Sequence, residues 1–331
     1  MHPSPQGIPA SDRSDPVLLI GATGYIGSHI FNALSALHTP APRVLIRSDS
    51  PTVFGREIDV VTGSIADRQA LQRAMEGVSC VINAASYVGA DPTALRHTYD
   101  DGVRNIIDAC AEHQIDRLIH VSTTAVYGSG PHFGASATEL PYSPESPTSA
   151  SRALSDELVL AAGGCSVRPH LVIGQGDRWV APAVQKLTGI LGGLIDGGAA
   201  LLSVIHVRDL GLLIAAVALS TRAVQGPVHA AYRQPVRAAD LVRSLVPNSR
   251  AALPELHISL ADALRRLAPY GFTDHQIRMI GETHWYDSSD IWDIANAFIP
   301  QTLCQTSKSP ALPPKVVCTW GDVPWASVPS Q

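Results

Sequence analysis

The chain has 331 residues, a net charge of −5, 16% charged residues and 45% hydrophobic ones. No basic run is present to neutralise a phosphate backbone, which excludes nucleic acid as an expected partner, and the hydrophobic share excludes a disordered acidic chain. Of the 24 Lys and Arg residues only Lys186, Lys308 and Lys315 are lysines, so no amine chemistry has a candidate before residue 186.

Residues 1–14 are polar and rich in Ser and Pro, and read as a tail without a signal-peptide apolar stretch. Val17 to Ile20 is a predicted strand, 25–37 a helix, Val44 to Ile46 a second strand and Asp59 to Val61 a third. A helix over 67–76 precedes the strand Cys80 to Asn83, and one long helix or two over 92–113 precede the strand Leu118 to Val121. Continuous apolar strands separated by helices predict an α/β fold with a doubly wound parallel sheet. Residues 129–147, rich in Gly, Ser and Pro, read as a long functional loop. A helix over 149–162 and a strand from Cys165 to Ile173 follow, then helices near 181–195, 208–219, 238–245, 259–268 and 288–297.

The longest apolar stretch, Leu210 to Leu219, is about half of what a bilayer span needs, so no membrane segment is expected. The five cysteines are scattered and form no C-x-x-C, which fits a reduced, cytoplasmic protein with no metal site.

The first strand runs into Gly21-Ala22-Thr23-Gly24-Tyr25-Ile26-Gly27 and then a helix. Glycines at this spacing allow a tight turn, close approach to a pyrophosphate and close helix–sheet packing, while the helix N-terminus supplies N–H donors. The second strand ends at Arg47, where NAD-selective proteins of this architecture commonly place a carboxylate. A guanidinium suits a 2′-phosphate, so NADPH is expected ahead of NADH.

With these motifs the chain resembles the extended short-chain dehydrogenase/reductase superfamily over about residues 15–300. The likeness also rests on Asn83-Ala84-Ala85, Ser122-Thr123-Thr124-Ala125-Val126-Tyr127-Gly128, the segment from Arg168 to Asp177, Ile205-His206-Val207-Arg208-Asp209 and Tyr286-Asp287-Ser288-Ser289. The resemblance implies a Rossmann domain over 15–175, a smaller and mainly substrate-binding part over 176–301 with some segments returning to the sheet, and an extension over 302–331. It implies cofactor contacts from the glycine loop, Ser64 (where the family is often acidic), Ile65, Ala84, Ala85, Arg152, Pro169 and Val172. It also implies a monomer or homodimer.

The family's chemistry uses a Ser or Thr, then Tyr-x-x-x-Lys. The hydroxyl position matches Thr123, beside Ser122, but Thr148 stands at the tyrosine position and Arg152 at the lysine position. No tyrosine of the chain has a lysine four residues on, so the pair is absent rather than shifted. A threonine hydroxyl is too weak an acid to replace the phenol, and an arginine does not release its proton near neutral pH. Water, Tyr142, Tyr87 or a phenol of the substrate itself remain as proton sources, the last by intramolecular transfer. The pattern resembles atypical ketoreductases of actinomycete antibiotic pathways, of the angucyclinone type found in simocyclinone biosynthesis. That implies a polycyclic aromatic ketone as substrate, with Tyr87, Tyr142, His170 and Trp179 as candidate contacts. Two alternatives stay open: a degenerate NADP(H)-binding sensor or interaction protein, and a nucleotide-sugar epimerase or dehydratase.

Overall fold

The computed structural model describes residues 16–37, 41–47, 58–220, 223–246 and 257–298. The expected tail and C-terminal extension lie outside them. Strand β1 (Val17–Ile20) leads into α1 (Tyr25–Leu37), followed by β2 (Arg43–Ile46), β3 (Val60–Thr62), α2 (Arg68–Met75) and β4 (Cys80–Asn83). Next come α3 (Pro92–Arg96), α4 (Gly102–Glu112), β5 (Leu118–Val121), β6 (His132–Ala135), α5 (Pro147–Ala161), β7 (Cys165–Pro169) and β8 (Leu171–Ile173). The chain continues through α6 (Val180–Leu191), β9 (Leu194–Ile195), β10 (Leu201–Leu202), β11 (Val204–His206), α7 (Val207–Leu219), β12 (Gly226–Ala230), β13 (Val236–Arg237) and α8 (Ala238–Leu245). Strand β14 (His257–Ile258), α9 (Leu260–Leu267), α10 (Asp274–Gly281), β15 (His284–Tyr286) and α11 (Ser289–Phe298) complete it.

The main sheet has seven strands in the order β12-β7-β5-β4-β1-β2-β3, all parallel. The order reverses between β1 and β4, and ligands of doubly wound sheets bind at such a switch point. Because both faces are covered, β1 and β4 are buried along their whole length. One face packs Leu19, Ile82 and Val167 against Ile30 and Leu34 of α1 and against α7. The other packs Leu18, Ile20 and Val81 against Leu71 and Met75 of α2 and Val103 and Ile106 of α4. Strand β12 rejoins this sheet from the C-terminal half.

Several elements differ from the sequence expectation. The predicted strand 165–173 is two strands in two sheets: β7 belongs to the main one, while β8 pairs with β11. Pro169 stands at the break, where it has no amide to extend the ladder. The predicted loop 129–147 contains β6, which pairs with β15 as the edge of a four-stranded sheet, β13-β10-β15-β6. A four-residue strand interrupted by Gly134 carries no period-two signal, and its partner lies about 150 residues later. The helical stretch after residue 92 is interrupted by a π-turn over His97–Asp101, and α6 stops at Gly192, whose left-handed backbone ends the helix four residues early.

Candidate active site

The glycine loop lies against the end of β4. Gly21 has φ +85°, and a Cβ there would sit 2.7 Å from the backbone of Ala84 and Ala85. A Cβ on Gly27 would sit 2.0 Å from the Gly21 carbonyl oxygen, so α1 can start this close to β1 only with glycine. The turn is closed by the Gly24 amide donating to the Gly21 carbonyl (3.0 Å), and Thr23 and Gly24 face solvent at the helix start. Tyr25 and Ile26 pack against the core. Burial and the nearby Asp177 carboxylate push the Tyr25 phenol well above its ordinary value.

Ala84 donates to the Ile20 carbonyl (2.9 Å) and Ala85 to the Asn83 side chain (3.1 Å), which fixes this stretch beside the glycine loop. Arg47 directly follows β2, with its side chain exposed. Ser64 caps the turn after β3 by accepting from Ala66 (3.3 Å), and the Ile65 carbonyl accepts from Asn105 (3.0 Å). Pro169 ends β7, and Val172 is buried in the main core. A glycine cradle with free helix-start amides suits a dinucleotide pyrophosphate, and the guanidinium at the β2 end suits a further phosphate.

The hydroxyl groups after β5 divide their work. Ser122 is buried and donates to the Asp156 carboxylate at 2.5 Å, so its proton is already committed. Thr123 is half-buried, and its Oγ1 accepts from the Ala125 amide at 3.2 Å. Accepting leaves its own proton available, and among the described residues that proton has no acceptor. Thr148 donates to the Gly89 carbonyl at 3.2 Å. Arg152 donates from Nε to the Tyr99 phenol (3.1 Å) and from Nη2 to the Ser86 hydroxyl (2.7 Å).

The substrate candidates scatter. Tyr142 donates to Asp156 (3.2 Å) and accepts from Arg168 (2.7 Å). Burial, and then the Asp156 charge, raise its phenol far above its ordinary value, so it is a structural member of a buried ion-pair network. In that network Arg168 and Asp156 pair at 2.9 Å. Burial alone would raise the Asp156 carboxyl, but the Arg168 guanidinium, with Ser122, holds it below the usual range. Tyr87 folds over Gly89, with its amide and carbonyl both tied to Tyr99. Trp179 is 57% exposed beside the Gly176–Asp177 turn. His170 is buried, bonded to Thr124 (2.8 Å) and stacked on His284 in a group of rings with His132, His229, Tyr127 and Tyr286.

Sequence reasoning missed Tyr99, Ser86, Gly89, Asp156 and Arg168 as partners of the site. Asp156 and Arg168 had a faint signal, as charged residues inside apolar stretches; Tyr99 had none, because the π-turn that points it inward leaves no mark on the periodicity.

Residues 17–230 match the family model described as the NAD dependent epimerase/dehydratase family. The 2-alkyl-3-oxoalkanoate reductase of Stenotrophomonas maltophilia (strain K279a) is 30% identical over 51% of this chain and 54% of its own length. The 4-hydroxy-2-methyl-3-oxo-4-farnesyl-3,4-dihydroquinoline-1-oxide ketoreductase of Stigmatella aurantiaca is 29% identical over 59% of this chain and 63% of its own. The chain thus spans between half and two thirds of the length of these curated relatives. Among solved structures, the dTDP-glucose 4,6-dehydratase of Streptomyces venezuelae, holding NAD, shares the fold with a TM-score of 0.63 at 21% identity, over 89% of this chain and 94% of that one. UDP-glucose 4-epimerase of Thermus thermophilus, also with NAD, gives 0.57 at 18% identity, over 80% and 97%. Among the described residues no helix is long and apolar enough to cross a membrane. With its parallel sheet, its glycine cradle at the switch point and a family match over most of its described length, the chain belongs to the NAD dependent epimerase/dehydratase family, the extended short-chain dehydrogenases/reductases.

Proposed function

We propose that the chain is an NADPH-dependent ketoreductase that reduces one carbonyl of a polycyclic aromatic polyketide of the angucyclinone kind. The observation that carries the reading is the division of labour among the hydroxyl groups. Beside the motif after β5, Thr123 keeps a free donor for a ketone oxygen, while Ser122, Thr148 and Tyr142 are committed to protein acceptors. The two relatives named as a reductase and a ketoreductase support reduction as the reaction class.

In this reading the glycine loop, Ala84 and Ala85 hold the dinucleotide, Arg47 takes a 2′-phosphate, and Arg152 takes the ribose with the donors that Tyr99 and Ser86 leave free. Ser64 and Ile65 border the adenine, and Pro169 and Val172 the nicotinamide end. Bound NADPH supplies the hydride. Thr123 orients the carbonyl and donates a hydrogen bond to the oxygen as negative charge develops there. Neither Thr148 nor Arg152 replaces the missing acid, and in this reading the proton comes from a substrate phenol peri or ortho to the ketone, ahead of water. A phenol already bonded to the carbonyl oxygen makes the transfer intramolecular. Residues 176–301 mainly build the substrate side, apart from the segments such as α7 and β12 that return to the main sheet on the cofactor side.

The test is NADPH oxidation followed by absorbance across a panel of aromatic polyketide ketones. Oxidation with at least one phenolic ketone is expected. Tight NADPH binding without turnover on any of them would point instead to a cofactor-sensing protein.

A further inference from the structure

Tyr99 sits in the π-turn between α3 and α4 and is 2% exposed. A π-turn adds one residue to a helix and re-aims the side chains around it, at the cost of a carbonyl without its regular partner. Here Ser155 of α5 donates to the Tyr99 carbonyl, which ties the turn to the helix carrying Thr148 and Arg152. The phenol donates to the Tyr87 carbonyl (2.9 Å) and accepts from the Tyr87 amide (3.1 Å) and from Arg152 Nε (3.1 Å). Ser86 Oγ lies 2.9 Å from the same oxygen and accepts from Arg152 Nη2 at 2.7 Å. The guanidinium also lies 5.7 Å from the centroid of the Tyr99 ring.

A lysine has one freely rotating ammonium, but a guanidinium is a planar fork. Two of its donors are occupied here, Nε by Tyr99 and Nη2 by Ser86, so its plane is fixed. Nη1 is left as the donor pair for a ligand. Further along the same loop, Thr148 holds the Gly89 carbonyl. The two positions vacated by the family's tyrosine and lysine therefore both grip the segment from Ser86 to Gly89, and Tyr99 is the group on which the Arg152, Ser86 and Tyr87 contacts meet.

We propose that Tyr99 is a positioning residue of this site: its phenol, with Ser86, sets the Arg152 fork for the cofactor and locks the 86–89 loop. The role rests on the reading that Arg152 binds the dinucleotide. It is tested by NADPH titration, using quenching of intrinsic fluorescence, on Tyr99→Phe, Ser86→Ala, Arg152→Ala and the double variant Tyr99→Phe/Arg152→Ala. Tyr99→Phe is expected to weaken NADPH binding about tenfold and Ser86→Ala about threefold, at unchanged far-UV circular dichroism. Residues that act as a unit are non-additive, so Tyr99→Phe should add less than twofold on the Arg152→Ala background. A merely structural tyrosine would weaken binding by the same factor on both backgrounds, which overturns the proposal. If Arg152→Ala weakens binding and Tyr99→Phe does not, the positioning role falls and the Arg152 reading stands. If Arg152→Ala leaves affinity unchanged, the Arg152 reading falls as well. Should Tyr99→Phe fail to fold, Ser86→Ala on the same two backgrounds decides the question by the same criterion.

Discussion

Acidification should destabilise this protein between pH 6.5 and 4, because it buries neutral imidazoles. Burial depresses His120, His229 and His284 from 6.5 to about 4, and it pushes His170 well below its ordinary value. Their surroundings offer little compensation. His229 faces the Tyr127 phenol and the Asp287 carbonyl, His284 the Gly130 amide and the Glu282 carbonyl, and His120 the Asn83 amide. The unfolded chain binds protons that the folded chain refuses, so stability is full above pH 6.5 and falls as pH drops toward 4. For a ring whose value moves from 6.5 to 4, linkage gives a loss of about 2 kcal/mol at pH 5, or about 6 kcal/mol for the three rings together. Asp209 opposes this. Burial raises it to about 6 against its hydrogen bond from Tyr232, and protonation at pH 5 returns about 1 kcal/mol. For these four groups the balance is a loss of about 5 kcal/mol, large beside a domain stability of about 5–15 kcal/mol. Urea unfolding of the cofactor-free protein, followed by circular dichroism from pH 7.5 to 5, measures it directly. A stability constant within about 1 kcal/mol over that range would refute the reasoning.

Other expected outcomes follow from single contacts. Asp156→Asn leaves the Arg168 guanidinium buried without its counter-charge and should cost about 3–5 kcal/mol in chemical denaturation. Gly27→Ala, with its Cβ forced 2.0 Å from the Gly21 oxygen, should abolish NADPH binding in titrations even where the protein still folds. Thr123→Val should lower kcat about 100-fold in steady-state assays, as loss of an oxyanion donor does, with the NADPH affinity unchanged. Arg47→Glu should reverse the ratio of kcat/KM between NADPH and NADH.

The central sheet was legible because its strands are continuous apolar runs. Cys80–Asn83 and Leu118–Val121 are framed by polar turns, and burial on both faces leaves no other reading of them. The glycine cradle was legible for a related reason, since steric necessity at Gly21 and Gly27 writes itself into the residue type. The small sheets were not legible. Strand β10 has two residues, and β6 and β15 pair across a long sequence interval, so neither carries a period. At the site, the positions of Thr123, Thr148 and Arg152 could be read, but not their partners. Whether a hydroxyl is free or committed depends on contacts such as Ser122 to Asp156 and Thr148 to Gly89, made between segments far apart in the chain. Tyr142, a reasonable substitute acid by sequence, turned out to be bound into the Arg168–Asp156 pair.

The most direct test of the account compares an aromatic polyketide ketone bearing a peri-hydroxyl with its O-methyl ether, under saturating NADPH, by following cofactor absorbance. The account predicts steady NADPH oxidation with the phenol and a loss of at least about 100-fold with the ether, in line with the range for general acid catalysis. Equal rates with the two ketones would contradict it, because the proton would then come from the protein or from water rather than from the substrate.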